Sequence, residues 1–512
     1  MNRFITGFQA TQILLLGLAL SLGMAATARA EVIDVTLLQL NDVYELTPVE
    51  GGKSGGLARL ATIRRQLLAA NPHTFTILAG DAFSPSALGT AKINGERLAG
   101  QQMVAVLNAL GLNYATFGNH EFDLSQTEFL KRLGESAFQW ISSNVSDAAG
   151  RPLAGVPRSQ IVTIQTKSGA TLRLGLIGLT LASNPTDYVR YQDPIQAAKE
   201  QIARLQSQVD ILVAITHLSL EQDQQLAAAI PELDLILGGH EHENMQQWRL
   251  VNRPQRYQRC QANTVPIFKA DANVRTVYIH RLRYDTETRC LVIEARLQPI
   301  TAAIPDDPAT AKVVQQWIKT GFQAFRQNGF DPEQVVGFTT EELDGLEASV
   351  RNRSTNLTRL IARAMLQEVG DADLAIFNGG SIRIDDRLPA GPISQYDIIR
   401  MLPFGGKVLA VQMPGSLLQL VLTQGLANRG QGGYLQTANV NQDATGKWLI
   451  GGQPLQLQRL YKVAINDFLM SGREQGLDFL NLNVPGVTLL AEKRDIRFVV
   501  IQFFQQPKPQ GS

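Results

Sequence analysis

Six short, almost uninterrupted apolar runs set what the first half of this chain can become. They are IDVTLLQL (33–40), TFTILA (74–79), YATF (114–117), LRLGLIGL (172–179), DILVAIT (210–216) and LDLILG (233–238). Continuous apolar runs of this length are typical of strands buried on both faces. Amphipathic stretches at Leu57–Ala70, 126–133 and 194–208 lie between several of them, which predicts an α/β sandwich. Residues 275–297 alternate as antiparallel strands closing that domain. AAIPDDP (302–308) reads as a boundary, and a helix over 309–327 reads as a connector. A second α/β unit runs over 335–506 and ends in IRFVVIQFF, which reads as a strand, before a polar tail at 507–512. At roughly 150 residues per domain, 512 residues accommodate this division, and no internal repeat points to a solenoid.

Residues 1–30 carry Arg3 ahead of a short apolar stretch and end in Ala28-Arg29-Ala30. That pattern predicts a signal peptide cleaved after Ala30, hence a periplasmic or secreted protein. The stretch is short of the roughly 20 residues that span a bilayer, so no membrane attachment is expected after cleavage. Losing Arg3 and Arg29 reduces 47 basic groups to 45 against 46 acidic ones. A chain so near neutrality has no surface for coating nucleic acid, and no protein partner is indicated. Cys260 and Cys290 are too few for a disulfide scaffold but can pair with each other in an oxidising compartment.

The chemistry lies where the apolar runs stop. They end in Asn41-Asp42, Gly80-Asp81, Gly118-Asn119-His120-Glu121-Phe122-Asp123, Thr216-His217 and Gly239-His240-Glu241-His242. Open α/β sheets bind ligands just beyond the carboxyl ends of their strands. Four of only six histidines therefore converge on one edge with several carboxylates. Mixed Asp, Asn and His donors suit a pair of divalent ions of the zinc, manganese, cobalt or iron type. Such a pair clamps the oxygens of an in-line phosphoryl displacement. There is no GxSxG elbow for acyl transfer.

In this order, LQLND, AGD, FGNHEFD, THL and GGHEH resemble the calcineurin-like metallophosphoesterases. With FNGGSIR (377–383), LPFGG (402–406), GGYLQ (432–436) and NDFLMSG (466–472), the chain resembles the bacterial 5′-nucleotidase / UDP-sugar hydrolase family. The resemblance implies a four-layer α/β/β/α metallophosphoesterase sandwich over 31–300. A linker with a connector helix (301–334) would join it to an α/β nucleotide-binding domain (335–506). The implied activity is hydrolysis of nucleoside 5′-monophosphates, and also of UDP-sugars or cyclic nucleotides. Asp42 and His242 would hold one metal ion, Asn119, His217 and His240 the other, and Asp81 would bridge them. His120 would stabilise the phosphoryl transition state or leaving oxygen, oriented by Asp123. Phe404 and Phe468 would sandwich the base. Arg351 and Arg383 would meet phosphate or ribose oxygens, Asn378 the base or sugar, and Glu474, ahead of Asp478, the ribose.

One departure concerns the first motif, where the family usually has Asp-x-His and this chain has Asp42-Val43-Tyr44. Tyr44 could ligate a hard Fe³⁺-like ion as phenolate, or stand aside while water fills the position. The second is the expected arrangement, with His242 restoring the lost imidazole where the family often has Gln or Asn. The competing function is a nucleotide-binding protein whose catalysis Tyr44 has weakened. Ser354 and Thr358-Arg359 also depart from the family's Glu and Gly-Asn, which bears on substrate range. Asn144-Val145-Ser146 matches a glycosylation acceptor, and Gly52-Lys53-Ser54 reads as an exposed turn rather than a phosphate loop.

Overall fold

The computed structural model describes residues 31–183, 186–245, 249–253 and 263–506. The expectations for residues 1–30, for 507–512 and for Cys260 concern residues outside this set. Cys290 is disulfide-bonded. No helix among the described residues is long and apolar enough to cross a membrane.

The chain first lays down four parallel neighbours: β1 (Val32–Leu40), β2 (Thr74–Ala79), β3 (Tyr114–Thr116) and β4 (Gln139–Trp140). Helices α1 (Leu57–Ala70), α2 (Gln101–Leu110) and α3 (Gln126–Glu135) connect them on one face. A second sheet follows, from β5 (Ser159–Gln165), β6 (Thr171–Thr180), β7 (Ile211–His217), β8 (Leu235–Gly238), β9 (Arg249–Asn252) and β10 (Thr264–Lys269). Its order is β9-β10-β8-β7-β6-β5, parallel from β10 to β6 with antiparallel edges. Helices α4 (Pro194–Leu205) and α5 (Leu220–Ala229) cover its outer face. The chain then returns to the first sheet with β11 (Thr276–Asp285) and β12 (Leu291–Pro299), giving the order β12-β11-β1-β2-β3-β4. Residues such as Leu37, Ile77, Leu174, Val213 and Leu235 fill the space between the sheets. Each contributes about 1.5–3 kcal/mol by burial, and the result is a four-layer α/β/β/α sandwich.

Helix α6 (Pro308–Gln327) opens on an Asp307 cap whose carboxylate accepts the Thr310 amide at 3.0 Å, with Pro308 at the first turn. Its Val314, Ala324 and Phe325 join the core shared with α1 and α2. Beyond it, a second domain is built from α7 (Asn356–Val369), β13 (Leu374–Asn378), β14 (Lys407–Pro414), α8 (Gly415–Ala427), β15 (Leu435–Ala438), β16 (Leu460–Asn466) and β17 (Thr488–Asp495). The sheet order is β15-β13-β16-β14-β17, with α7 on one face and α8 on the other.

The expected final strand is instead a helix, α9 (Ile496–Gln505). Its run of Ile, Val and Phe invites a strand reading by propensity. The Asp495 side chain, however, accepts the Arg497 amide and starts a helix. Ile496, Val499, Val500 and Phe504 are then buried at spacings that only a helix puts on one side.

Candidate metal centre and substrate site

Every candidate ligand stands at or just past a strand end. Asp42 follows β1, Asp81 follows β2, Asn119 follows β3, His217 closes β7, and His240 and His242 follow β8. Four of the six hold a left-handed backbone: Asp42 (φ 52°), Asp81 (59°), His240 (89°) and His242 (60°). Such residues cost of order 1 kcal/mol or more each and persist where the surroundings over-determine them. Two glycines make the close approach feasible. A Cβ at Gly118 would lie 2.0 Å from Asp81 Oδ1, and one at Gly239 would lie 2.3 Å from the Ala79 carbonyl.

Asp42, Asp81 and His217 each present a ligand atom, all within 4.8 Å of one another. None is more than 1% exposed. His217 Nδ1 is 2.8 Å from the Ala79 carbonyl and donates to it. Its Nε2 therefore faces Asp81 Oδ2 at 3.2 Å and Asp42 Oδ1 at 3.8 Å. That nitrogen is buried without a hydrogen-bond partner. A buried, unpartnered imidazole nitrogen against two carboxylates fits a divalent cation. The protein alone answers this field with protons: burial opposes the charge, yet Asp81 and Asp42 push His217 up to about 9. His240 is pushed down to about 4 by burial and then by the His217 charge. Its amide donates to Asp42 Oδ2 at 2.8 Å, and its ring stands 5.3 Å from that of His217.

His242 Nε2 is 3.4 Å from Asp42 Oδ1, and its Nδ1 is 3.2 Å from Asp385 Oδ2. Asn119 is buried and opens the short turn His120–Asp123. In that turn the His120 amide donates to Asp81 Oδ1 at 2.8 Å, while its Nδ1 lies 2.7 Å from Asp123 Oδ2. Ser84 Oγ donates to the same Asp123 oxygen at 2.9 Å. Burial disfavours charge on His120, but Asp123 and Asp81 outweigh it and raise its pKa. Tyr44 does not stand aside. It is 4% exposed, and its hydroxyl lies 3.0 Å from Asp81 Oδ2, 3.3 Å from Asp42 Oδ1 and 3.0 Å from His242 Nε2. Burial first, then Asp81 and Asp42, raise the pKa of this phenol.

The second domain meets this centre directly. Arg400 bonds Glu45 (2.9 Å) and Asp386 (2.8 Å), and Asp386 also accepts the Glu50 amide at 3.0 Å. Between the domains lies a cleft of about 880 Å³ lined by His242, Arg275, Glu347, Arg351 and Asp385. Arg351 is held by Glu347 at 2.7 Å. Arg383 lies over the Phe404 ring at 5.7 Å, and that ring shares a small hollow with Phe83 and Asp123. Phe404 (52%) and Phe468 (36%) are exposed for large apolar side chains. Asn378 Nδ2 donates to buried Glu474 at 2.6 Å, and its oxygen accepts from Ser381 and Asn466. Asp478 is exposed, so Glu474 is the carboxylate that joins Asn378.

Residues 35–244 match the calcineurin-like phosphoesterase family model, and 335–481 match the 5′-nucleotidase, C-terminal domain model. The chain belongs to the 5′-nucleotidase family. It is a metal-dependent phosphoric ester hydrolase. Bovine 5′-nucleotidase is 26% identical over 509 residues, covering 88% of this chain and 86% of the relative. Human 5′-nucleotidase is 26% identical over 511 residues, covering 89% and 86%. Among solved structures, a 5′-nucleotidase precursor from Thermus thermophilus superposes with a TM-score of 0.74 at 23% identity, covering 92% of this chain and 96% of that one. Sulfate thiohydrolase SoxB from Thermus thermophilus also shares the fold, with a TM-score of 0.69 at 16% identity over 93% and 96%. The fold therefore does not select the substrate; the site must.

Within this 5′-nucleotidase framework, three supporting residues went unassigned from sequence. Glu121 is wholly buried and accepts the amides of Gly118, Asp81, Ala82 and Phe83 at 2.6–3.2 Å, locking the second and third motif loops together. Burial and Asp81 push it up to about 7. Lys269, also fully buried, donates to the Leu218 and Gly239 carbonyls (2.6 and 2.8 Å) and pairs with Asp223 and Glu241 behind the histidine loops. A charged residue closing an apolar strand was the signal for it. Asp385 lies far along the chain and carried none. Asn144 is not free for glycosylation, being buried with its amide on the Thr180 and Gln192 carbonyls.

Proposed function

We propose that this protein is an exported enzyme that hydrolyses nucleoside 5′-monophosphates, with two divalent ions held by Asp42, Asp81, Asn119, His217, His240 and His242. The observation carrying this reading is the buried triangle of Asp42, Asp81 and His217, joined through Asp81 to the His120 turn. Asp42 and His242 would hold one ion and Asn119, His217 and His240 the other, with Asp81 shared. Asp81 Oδ2 suits the sharing, since Oδ1 already accepts the His120 amide. Bound ions would supply Lewis-acid activation of the attacking water and of the phosphoryl oxygens. His120, steadied by Asp123, would stabilise charge developing on the phosphoryl group or the leaving 5′ oxygen.

Phe404 and Phe468 would stack the base, Asn378 and Glu474 would take the base and ribose, and Arg351 and Arg383 the phosphate or ribose oxygens. The relatives named 5′-nucleotidase support the substrate class. UDP-sugars and cyclic nucleotides belong to the same reading, because a metal pair recognises the phosphate ester and not what it carries. The residue 1–30 pattern supports export. The test is phosphate release across nucleoside monophosphates, UDP-sugars and cyclic nucleotides, with Mn²⁺, Zn²⁺ or Co²⁺ added in turn. Failure to release phosphate from any of them would end the proposal.

Two variants divide the labour. Phe404→Ala should raise KM for AMP by roughly 5- to 100-fold, the loss of one stacking face. Hydrolysis of phenyl phosphate, which has no base, should change far less; equal losses on both would remove Phe404 from base recognition. Asp385→Asn should weaken one of the two metal sites by about 10- to 100-fold in chelator competition, since the carboxylate orients His242 through Nδ1. Unchanged affinity at both sites would refute that orienting role.

A further inference from the structure

We propose that Tyr44 is itself a ligand of the ion held by Asp42, Asp81 and His242, and that its phenolate makes this half of the pair a seat for a hard trivalent cation, ferric iron foremost. The inference rests on the two-ion reading above and departs from the expected water-filled position.

The donor atoms stand at the spacing of a coordination sphere. Ligands about 2.1 Å from a common ion lie about 3.0 Å apart as octahedral neighbours and about 3.4 Å apart as tetrahedral ones. The Tyr44 oxygen is 3.0 Å from Asp81 Oδ2, 3.0 Å from His242 Nε2 and 3.3 Å from Asp42 Oδ1. His242 Nε2 and Asp42 Oδ1 are 3.4 Å apart. Four donor atoms from three strand-end loops are thus spaced as neighbours on one coordination sphere. The hydroxyl oxygen occupies the place that a water ligand would need.

The phenol oxygen is held inside this cluster. The phenol has one proton and three acceptor-capable neighbours within 3.3 Å. His242 Nδ1 is 3.2 Å from Asp385 Oδ2, an arrangement that turns Nε2 inward toward the phenol oxygen. The ring cannot swing clear. It packs edge-on to His120 (6.5 Å) and tilted on His242 (5.4 Å), and the Tyr44 amide is fixed to Asn273 Oδ1 at 2.9 Å.

Charge then selects the ion. Two carboxylates, one of them shared, and a phenolate make an anionic, oxygen-rich donor set, and such sets favour hard, highly charged metals. Tyrosine does ligate iron elsewhere, as the axial ligand of catalase haem. The other half, with Asn119, His217 and His240 beside the shared Asp81, is richer in imidazole and suits a divalent ion. Ligation exchanges the phenolic proton for the ion, so one proton is released for each Tyr44 bound.

The test loads the metal-free full-length protein with ferric citrate plus Zn²⁺ and reads metal content and visible absorption. The expected result is one iron and one zinc per chain with a phenolate-to-iron charge-transfer band. Tyr44→Phe should lose the band and bind ferric iron at least about tenfold more weakly while keeping zinc. Tyr44→His should fold, stay colourless with iron and accept zinc in both halves. Two bound ions with phosphate release but no band in the wild type would overturn the Tyr44 assignment and leave the two-ion reading standing. A wild type that binds no ion would overturn both.

Discussion

Asp81→Asn is expected to lower kcat/KM for AMP by at least about 10³-fold and to reduce bound metal from two ions per chain to one or none. A single oxygen decides the outcome. Asp81 Oδ2 faces His217 Nε2 at 3.2 Å on one side and the Tyr44 hydroxyl at 3.0 Å on the other. An amide nitrogen in its place offers no lone pair to a cation and removes the one charge that both halves would share under the two-ion reading. The fold should survive. Asparagine tolerates the left-handed φ of 59° at this position, and the backbone amide of residue 81 keeps its bond to Glu121. Metal analysis alongside steady-state kinetics gives the answer, with a melting curve as the control for folding. A variant retaining two ions and near-normal turnover would mean that Asp81 bridges nothing.

How far the sequence anticipates this site depends on whether a residue's role is local. The strand-end residues were legible because an apolar run and the polar residue that ends it are adjacent in sequence. The two facing sheets then carry Asp42, Asp81 and His217 to within 4.8 Å. Helix α6 was legible for the same reason, since its Asp307 cap and its first-turn proline are adjacent at its start. Helix α9 was not, because β-branched residues favour strands locally and only the core settles which period wins. Glu121 stood inside a recognised motif, but its role of gathering four loop amides is defined only once β2 and β3 lie side by side. Asp385 reaches His242 from 143 residues away, across a domain interface that no local pattern encodes. Tyr44 was visible as a departure, yet whether its hydroxyl points at the carboxylates or away is a matter of loop geometry.

His120→Ala should lower kcat for AMP by about 10²- to 10⁴-fold while leaving two ions bound, because under the proposed function residue 120 would serve the two roles through different atoms. Toward Asp81 it offers its backbone amide, at 2.8 Å from Oδ1, and alanine keeps that bond. Toward substrate it would offer its imidazole, whose Nδ1 is 2.7 Å from Asp123 Oδ2, so that Nε2 would be the ring atom to meet a phosphoryl or leaving oxygen. Truncation thus removes transition-state stabilisation without dismantling the metal pocket, so the loss should fall on kcat more than on KM. Asp123→Asn should act in the same direction but more weakly, since the imidazole itself remains and Ser84 Oγ, which shares Asp123 Oδ2 with it, still stands beside the side chain. If His120→Ala lost metal in proportion to activity, its imidazole would be part of the metal pocket. If the rate fell less than about tenfold with both ions in place, the phosphoryl group would be stabilised by the metals and arginines alone.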